Sequence, residues 1–157
     1  MVETSDSPVD FATQRALAVG LFNRVWDLLD AGDSRTPDET AEMVDAAHAS
    51  RYLWRQIGGD QQAIVGEWQV SRAYAAAGNG AEAVRHAEIA EAILRGADDL
   101  PDWIAPSVHE GMARALLAAG DPAAALAMRS TAEGAAALIA DPEDRALIES
   151  QIAELDL

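Results

Sequence analysis

Apolar positions recur along this chain at spacings of three and four, and no segment shows the period-two alternation of β-branched residues that a strand requires. In the first segment Leu17, Leu21, Val25 and Leu28 fall on one side, with Phe22, Trp26 and Leu29 adjoining, a broad apolar stripe at helical spacing. The pattern predicts an all-α chain of about seven helices, near 8–31, 37–57, 61–77, 81–95, 102–119, 122–139 and 142–156.

Proline and glycine set the boundaries. Ser7-Pro8, Thr36-Pro37, Asp121-Pro122 and Asp141-Pro142 each offer an N-cap oxygen followed by Pro at the first helical position, where the missing N–H costs nothing. Thr36 with Glu39 forms a capping box, while Ser7 with Asp10 and Asp141 with Asp144 put an acid in the first turn. Gly32, Gly58-Gly59, Gly78, Gly96 and Gly120 follow periodic apolar stretches, as helix C-terminal residues do. Connections this short make sequential helices antiparallel neighbours.

Two stretches, forty-two residues apart, are versions of one another. Tyr74-Ala-Ala-Ala-Gly78-Asn-Gly-Ala81-Glu-Ala83, running on to Ala90, aligns with Leu116-Leu-Ala-Ala-Gly120-Asp-Pro-Ala123-Ala-Ala125, running on to Ala132. Abundant Ala explains the number of small residues, since Ala is the best helix former. It does not explain the shared register. Small side chains on one face let paired helix axes approach closely, and each hairpin then needs a neighbour to cover its apolar face.

These residues resemble the tetratricopeptide repeat (TPR) family. With the family's central Gly on Gly78, Tyr74, Ala83 and Ala90 take the places of its aromatic and two small residues. With Gly120 as the anchor, Leu116, Ala125 and Ala132 take them. Glu67 and His109 stand where the first-helix Trp usually is, and the period exceeds the family's thirty-four residues. The match covers roughly 61–139. A narrower resemblance lies in Ala47-His48-Ala49-Ser50-Arg51-Tyr52-x-Trp54 and Gly66-Glu67-Trp68-Gln69-Val70-Ser71-Arg72-x-Tyr74, which are similar to small bacterial TPR-like proteins of unassigned function. The resemblance implies a right-handed stack of helical hairpins, a TPR-like superhelix, in a single domain over 1–157. Its hairpins would span about 8–57, 61–95 and 102–139, with a capping helix at 142–156.

Composition narrows the chemistry. The 157 residues carry a formal net charge of -16, and all eleven basic residues are Arg. Such a field repels phosphate backbones, so no nucleic-acid partner is expected. No Cys is present, which excludes disulfides and thiolate nucleophiles. No apolar run approaches a membrane span, and Met1-Val-Glu-Thr-Ser-Asp-Ser-Pro is too polar and acidic for a secretory signal, so a cytoplasmic protein without membrane contact is expected. His48, His86 and His109 lie on three separate helices without ligand spacing, so no metal and no cofactor are expected. There is no Gly-x-Ser-x-Gly elbow and no Gly-rich phosphate loop.

In TPR hairpins the first helix of each pair lines the concave groove. The resemblance therefore puts Trp68 and Arg72 in one repeat and Glu110 and Arg114 in the next on the groove wall. Two stacked guanidinium groups suit a carboxylate or phosphate, through charge-assisted bonds of ~1.5–3 kcal/mol each. The bland alternative pairs Arg72 and Arg114 internally with Glu67 and Glu110. The family's carboxylate clamp also uses an Asn on the first helix, and the matching positions here are Gln69 and Gly111. On helix two, Asp45, His48, Tyr52 and Arg55 share a face with Arg51 beside it; if that helix borders the groove, His48 and Arg51 face Trp68 and Arg72.

The expected function is a scaffold module rather than an enzyme, binding a peptide or protein segment, acidic in character. Two alternatives stand beside it. One is a small anionic-ligand pocket or enzyme built around His48, Arg51, Trp68 and Arg72, with Glu67 as acid–base partner. The other is a homodimer joined through Phe22 and Trp26.

Overall fold

The structure is a computed structural model that describes residues 9–157. Among them seven α-helices follow in order: α1 (Phe11–Asp30), α2 (Pro37–Ile57), α3 (Asp60–Ala76), α4 (Gly80–Gly96), α5 (Ile104–Ala118), α6 (Pro122–Ala136) and α7 (Pro142–Ala153). A 3-10 turn, Gly32–Ser34, separates α1 from α2. No described helix is long and apolar enough to cross a membrane.

The caps account for most of the boundaries. Thr36 Oγ1 accepts the Glu39 N–H at 3.2 Å while Glu39 accepts the Thr36 N–H at 2.8 Å, the expected reciprocal box. Asp141 accepts from the N–H groups of Glu143 and Asp144. The expected Ser7-Pro8 cap lies outside the described residues; α1 is capped by Asp10, which accepts from the Thr13 N–H at 3.0 Å and hydroxyl at 2.7 Å. Helix α5 begins two residues later than expected because Asp102 is occupied elsewhere, accepting the Ala140 N–H at 2.8 Å at the entrance to α7. Helix α6 ends at Ala136 rather than 139: tighter turns bond Leu138 to Ala135 and Ile139 to Ala136 at 3.1 Å, which buries Ile139 completely.

The two repeated turns are the same object. After α3 the Gly78 N–H bonds the Ala75 carbonyl at 3.1 Å and the Asn79 N–H the Tyr74 carbonyl at 2.9 Å. After α5 Gly120 bonds Leu117 and Asp121 bonds Leu116, both at 3.0 Å. Each is a Schellman closure, and it requires the left-handed φ of +78° at Gly78 and +84° at Gly120 that only glycine adopts freely. The next residue then caps the returning helix, Asn79 accepting from Glu82 and Asp121 from Ala124. One short turn thus ends a helix, reverses the chain and starts the next helix.

Hairpins α1/α2, α3/α4 and α5/α6 make the most extensive contacts, and α7 packs on α5 and α6. Pairing of Ser50 with Ala18 and of Arg24 with Glu42 runs antiparallel across the first hairpin, as Ser71–Ala83 and Glu67–His86 do across the second. Ala83, Ala90, Ala125 and Ala132 are fully buried, so the small faces do lie between helices. Gly80 meets the end of α5 closely: a Cβ there would lie 2.4 Å from the Ala119 backbone nitrogen.

Candidate functional site

The odd-numbered helices line one groove of about 650 Å³. Each contributes positions i, i+3 and i+4: Trp26, Leu29 and Asp30 from α1; Arg72, Ala75 and Ala76 from α3; Arg114, Leu117 and Ala118 from α5; Leu147, Ser150 and Gln151 from α7. That spacing is one helical face. The forty-two-residue offset carries Arg72, Ala75 and Ala76 onto Arg114, Leu117 and Ala118, so the repeat register governs the groove wall as well as the turns. Glu154, at the end of α7, completes the lining.

The two arginines meet in a charge cluster. Glu110, fully buried, accepts from Arg114 Nε at 2.7 Å and from Arg72 Nη1 at 3.4 Å on both oxygens. Glu154 is 57% exposed, and its Oε2 lies 3.3 Å from Arg72 Nη2 and 3.4 Å from Arg114 Nη2. Arg114 also donates to the Gln151 carbonyl at 3.1 Å. Burial pushes the Arg72 guanidinium below its ordinary range; Glu110 opposes that shift, Arg114 adds to it and Glu154 opposes it. It remains a cation, since arginine titrates far above neutrality. Two positive and two negative charges balance.

Aromatic rings hold Arg72 in place. Its Cζ is 5.1 Å from the Trp26 ring centroid and 5.8 Å from that of Trp68, and the two indoles are themselves 5.8 Å apart. Trp68 lies behind the groove wall rather than on it, 9% exposed, its buried Nε1 without a hydrogen-bond partner. Gly111 leaves room for this ring: a Cβ there would come within 2.5 Å of Trp68 Cδ1.

The internal pairing of Arg72 with Glu67 does not occur. Five residues apart on a helix, the two side chains point about 140° from one another, whereas Glu110 and Arg114, four apart, nearly eclipse. Glu67 serves a second cluster, between α2, α3 and α4. Its carboxylate, 2% exposed, accepts from Arg51 Nη1 and meets His86 Nδ1, each at 2.6 Å. His86 Nε2 lies 2.9 Å from Arg85 Nη2, and its ring stacks on Tyr74 at 5.7 Å. His48 Nε2 meets the Tyr74 hydroxyl at 3.0 Å.

His48 and Arg51 therefore do not border the surface of Arg72. The charged neighbours of His48 are His86, Arg51, Glu67 and Arg85; those of Arg72 are Glu110, Arg114 and Glu154. The expected single surface is two, because Glu67 and Trp68, consecutive on α3, leave the helix about 100° apart. Burial pushes the His48 imidazole below its usual value, and the charges of His86 and Arg51 push it further. Burial alone would raise the Glu67 carboxyl, but bonds from His86 and Arg51 outweigh it and hold the group low. Among the described residues no group of three or more acids and histidines could hold a metal ion.

Sequence reasoning weighed Trp26 as a dimer seam and His86 as a metal ligand rather than as members of these clusters, and it did not consider Glu154. Trp26 reads as part of the α1 apolar stripe; it faces the groove, while Phe22, 6.4 Å away, lines an adjoining apolar cleft with Val19, Trp54, Val65 and Trp103. One signal did exist for Glu154. No acid stands three or four residues from Arg72, so its partners had to come from other helices.

The model of the family described as tetratricopeptide repeat matches residues 71–88 and 106–129, spanning both Schellman turns. Neither a curated protein nor a solved structure matches the chain.

Proposed function

Because this chain is a TPR-like helical-repeat protein, a kind of module associated with protein interaction and scaffolding, we propose that its groove binds a peptide segment of a partner protein. The observation that carries this reading is the wall itself: four odd helices present the same i, i+3, i+4 face to one continuous groove. The floor supplies apolar contacts from Trp26, Leu29, Leu117 and Leu147. The Arg72–Arg114 pair, whose donors hold the exposed Glu154 at 3.3 and 3.4 Å, supplies them to an acidic group of the segment that takes its place, and the bound segment is acidic at that point. An apolar anchor beside a charge-assisted bond is the usual composition of an interface hot spot.

Panning a random dodecapeptide library against the immobilised full chain tests this. Enriched peptides should bind the wild type and lose roughly tenfold or more in affinity to Trp26→Ala, the groove's largest aromatic contact. Enriched peptides that bind both proteins equally would place the binding surface elsewhere.

A further inference from the structure

Charge counting in the groove identifies what kind of acidic segment fits. Two guanidinium groups stand side by side, and the buried Glu110 answers one of their charges from behind the wall. The second charge is answered only by Glu154, and the two carboxylates differ in burial and in their hold on Arg114: Glu110 takes Arg114 Nε at 2.7 Å, although its contacts to Arg72, at 3.4 Å, are no shorter than that of Glu154. Glu110 is sealed in, whereas Glu154 is more than half exposed, at the C-cap of the last helix. Its contacts of 3.3 and 3.4 Å both use one oxygen. Charge-assisted N–H···O bonds ordinarily close to ~2.7–2.9 Å. A singly charged seat is thus filled by a loosely held carboxylate of the chain's own.

We infer that Glu154 is an internal stand-in for one carboxylate of the bound segment, which takes its place on Arg72 and Arg114 when the segment enters the groove. This inference rests on the peptide-binding reading above and specifies its ligand: one acidic side chain flanked by apolar residues. With that carboxylate seated and Glu154 released to solvent, Arg72, Arg114, Glu110 and the ligand carboxylate still sum to zero. A second acid on the segment finds no free cation. It meets Asp30 on the same wall and the field of a chain carrying -16. The apolar flanks face Trp26, Leu117 and Leu147. Glu154 also sets the threshold for acidic ligands, because a carboxylate must displace it to reach Arg72 and Arg114.

The test pans the same dodecapeptide library separately on wild type and on Glu154→Gln, a substitution at an exposed side chain that leaves the core untouched. Peptides with a single Asp or Glu between apolar residues should dominate the Glu154→Gln pool. Measured individually, they should bind Glu154→Gln about three- to tenfold more tightly than wild type, the competition of one partly exposed carboxylate. Counterparts with Gln in place of the acid should bind both proteins alike and weakly. Arg114→Gln should abolish the acid preference in either background. Equal affinity for wild type and Glu154→Gln, or tighter binding by wild type, overturns the inference while leaving a peptide groove in place. A pool dominated by peptides with several acids overturns the single-charge seat. No enrichment on either protein overturns the peptide reading and this inference together.

Discussion

Replacing Glu110 by Gln isolates the charge that holds the groove together. The amide keeps the shape of the carboxylate but turns one of its two acceptors into a donor aimed at guanidinium groups. Arg72, 8% exposed, is then left with the solvent-facing Glu154 alone. Removing one partner of a buried ion pair costs ~3–5 kcal/mol, because the other charge stays desolvated without compensation. Arg114 softens that figure, being 21% exposed and still bonded to the Gln151 carbonyl. The expected loss is about 2–4 kcal/mol, or roughly 5–15 °C in melting temperature for a chain of this size. Urea unfolding followed by tryptophan fluorescence measures it directly, since Trp26 and Trp68 flank Arg72. Converting the three members behind Glu154 to apolar residues (Arg72→Met, Glu110→Leu, Arg114→Met) should recover most of the loss, as buried charge networks are often no more stable than hydrophobic replacements. A Glu110→Gln cost below about 1 kcal/mol, or a triple variant no better than the single one, would refute the account of Glu110 as the buried counter-charge.

Two further outcomes follow from the packing and from the settings of His48 and Glu67. Gly80→Ala should destabilise by about 3 kcal/mol, because its Cβ would strike the backbone of Ala118 and Ala119, which cannot rotate away. Gly134→Ala, with nothing within 4 Å, should instead stabilise by ~0.5–1 kcal/mol through helix propensity, and paired urea titrations separate the two. Stability should also fall with acid in two stages. Below pH 6.5 the unfolded chain protonates its histidines, while folded His48 resists, half-buried beside Arg51, Arg85 and His86. Below 4.5 the stability contributed by Glu67, held low by His86 and Arg51, is lost as pH falls through its folded value. Urea midpoints at pH 8, 5.5 and 4 measure both stages. His48→Phe should flatten the first one, and an unchanged slope in that variant would assign the loss to other groups.

Helix number, most boundaries and the hairpin register could be read from the sequence because their causes are local. A Pro after an N-cap oxygen at Thr36 or Asp141, or a glycine that alone adopts the φ of Gly78 and Gly120, acts within a few residues of itself. The resemblance put Arg72 and Arg114 on one wall, where both line the groove, but it put Trp68 and Glu110 there as well, and both lie behind it. What the sequence left open was which partner each charge takes. Glu67 is closer in sequence to Arg72 than Glu110 is, yet it belongs to His86 and Arg51, because helical phase sends it to another face. Glu154 reaches the cluster from a helix outside the repeat frame, and Trp26 turns from an apparent apolar stripe into groove lining. Ion pairs and ring contacts across helices depend on interaxial packing, and no spacing within a single helix encodes that.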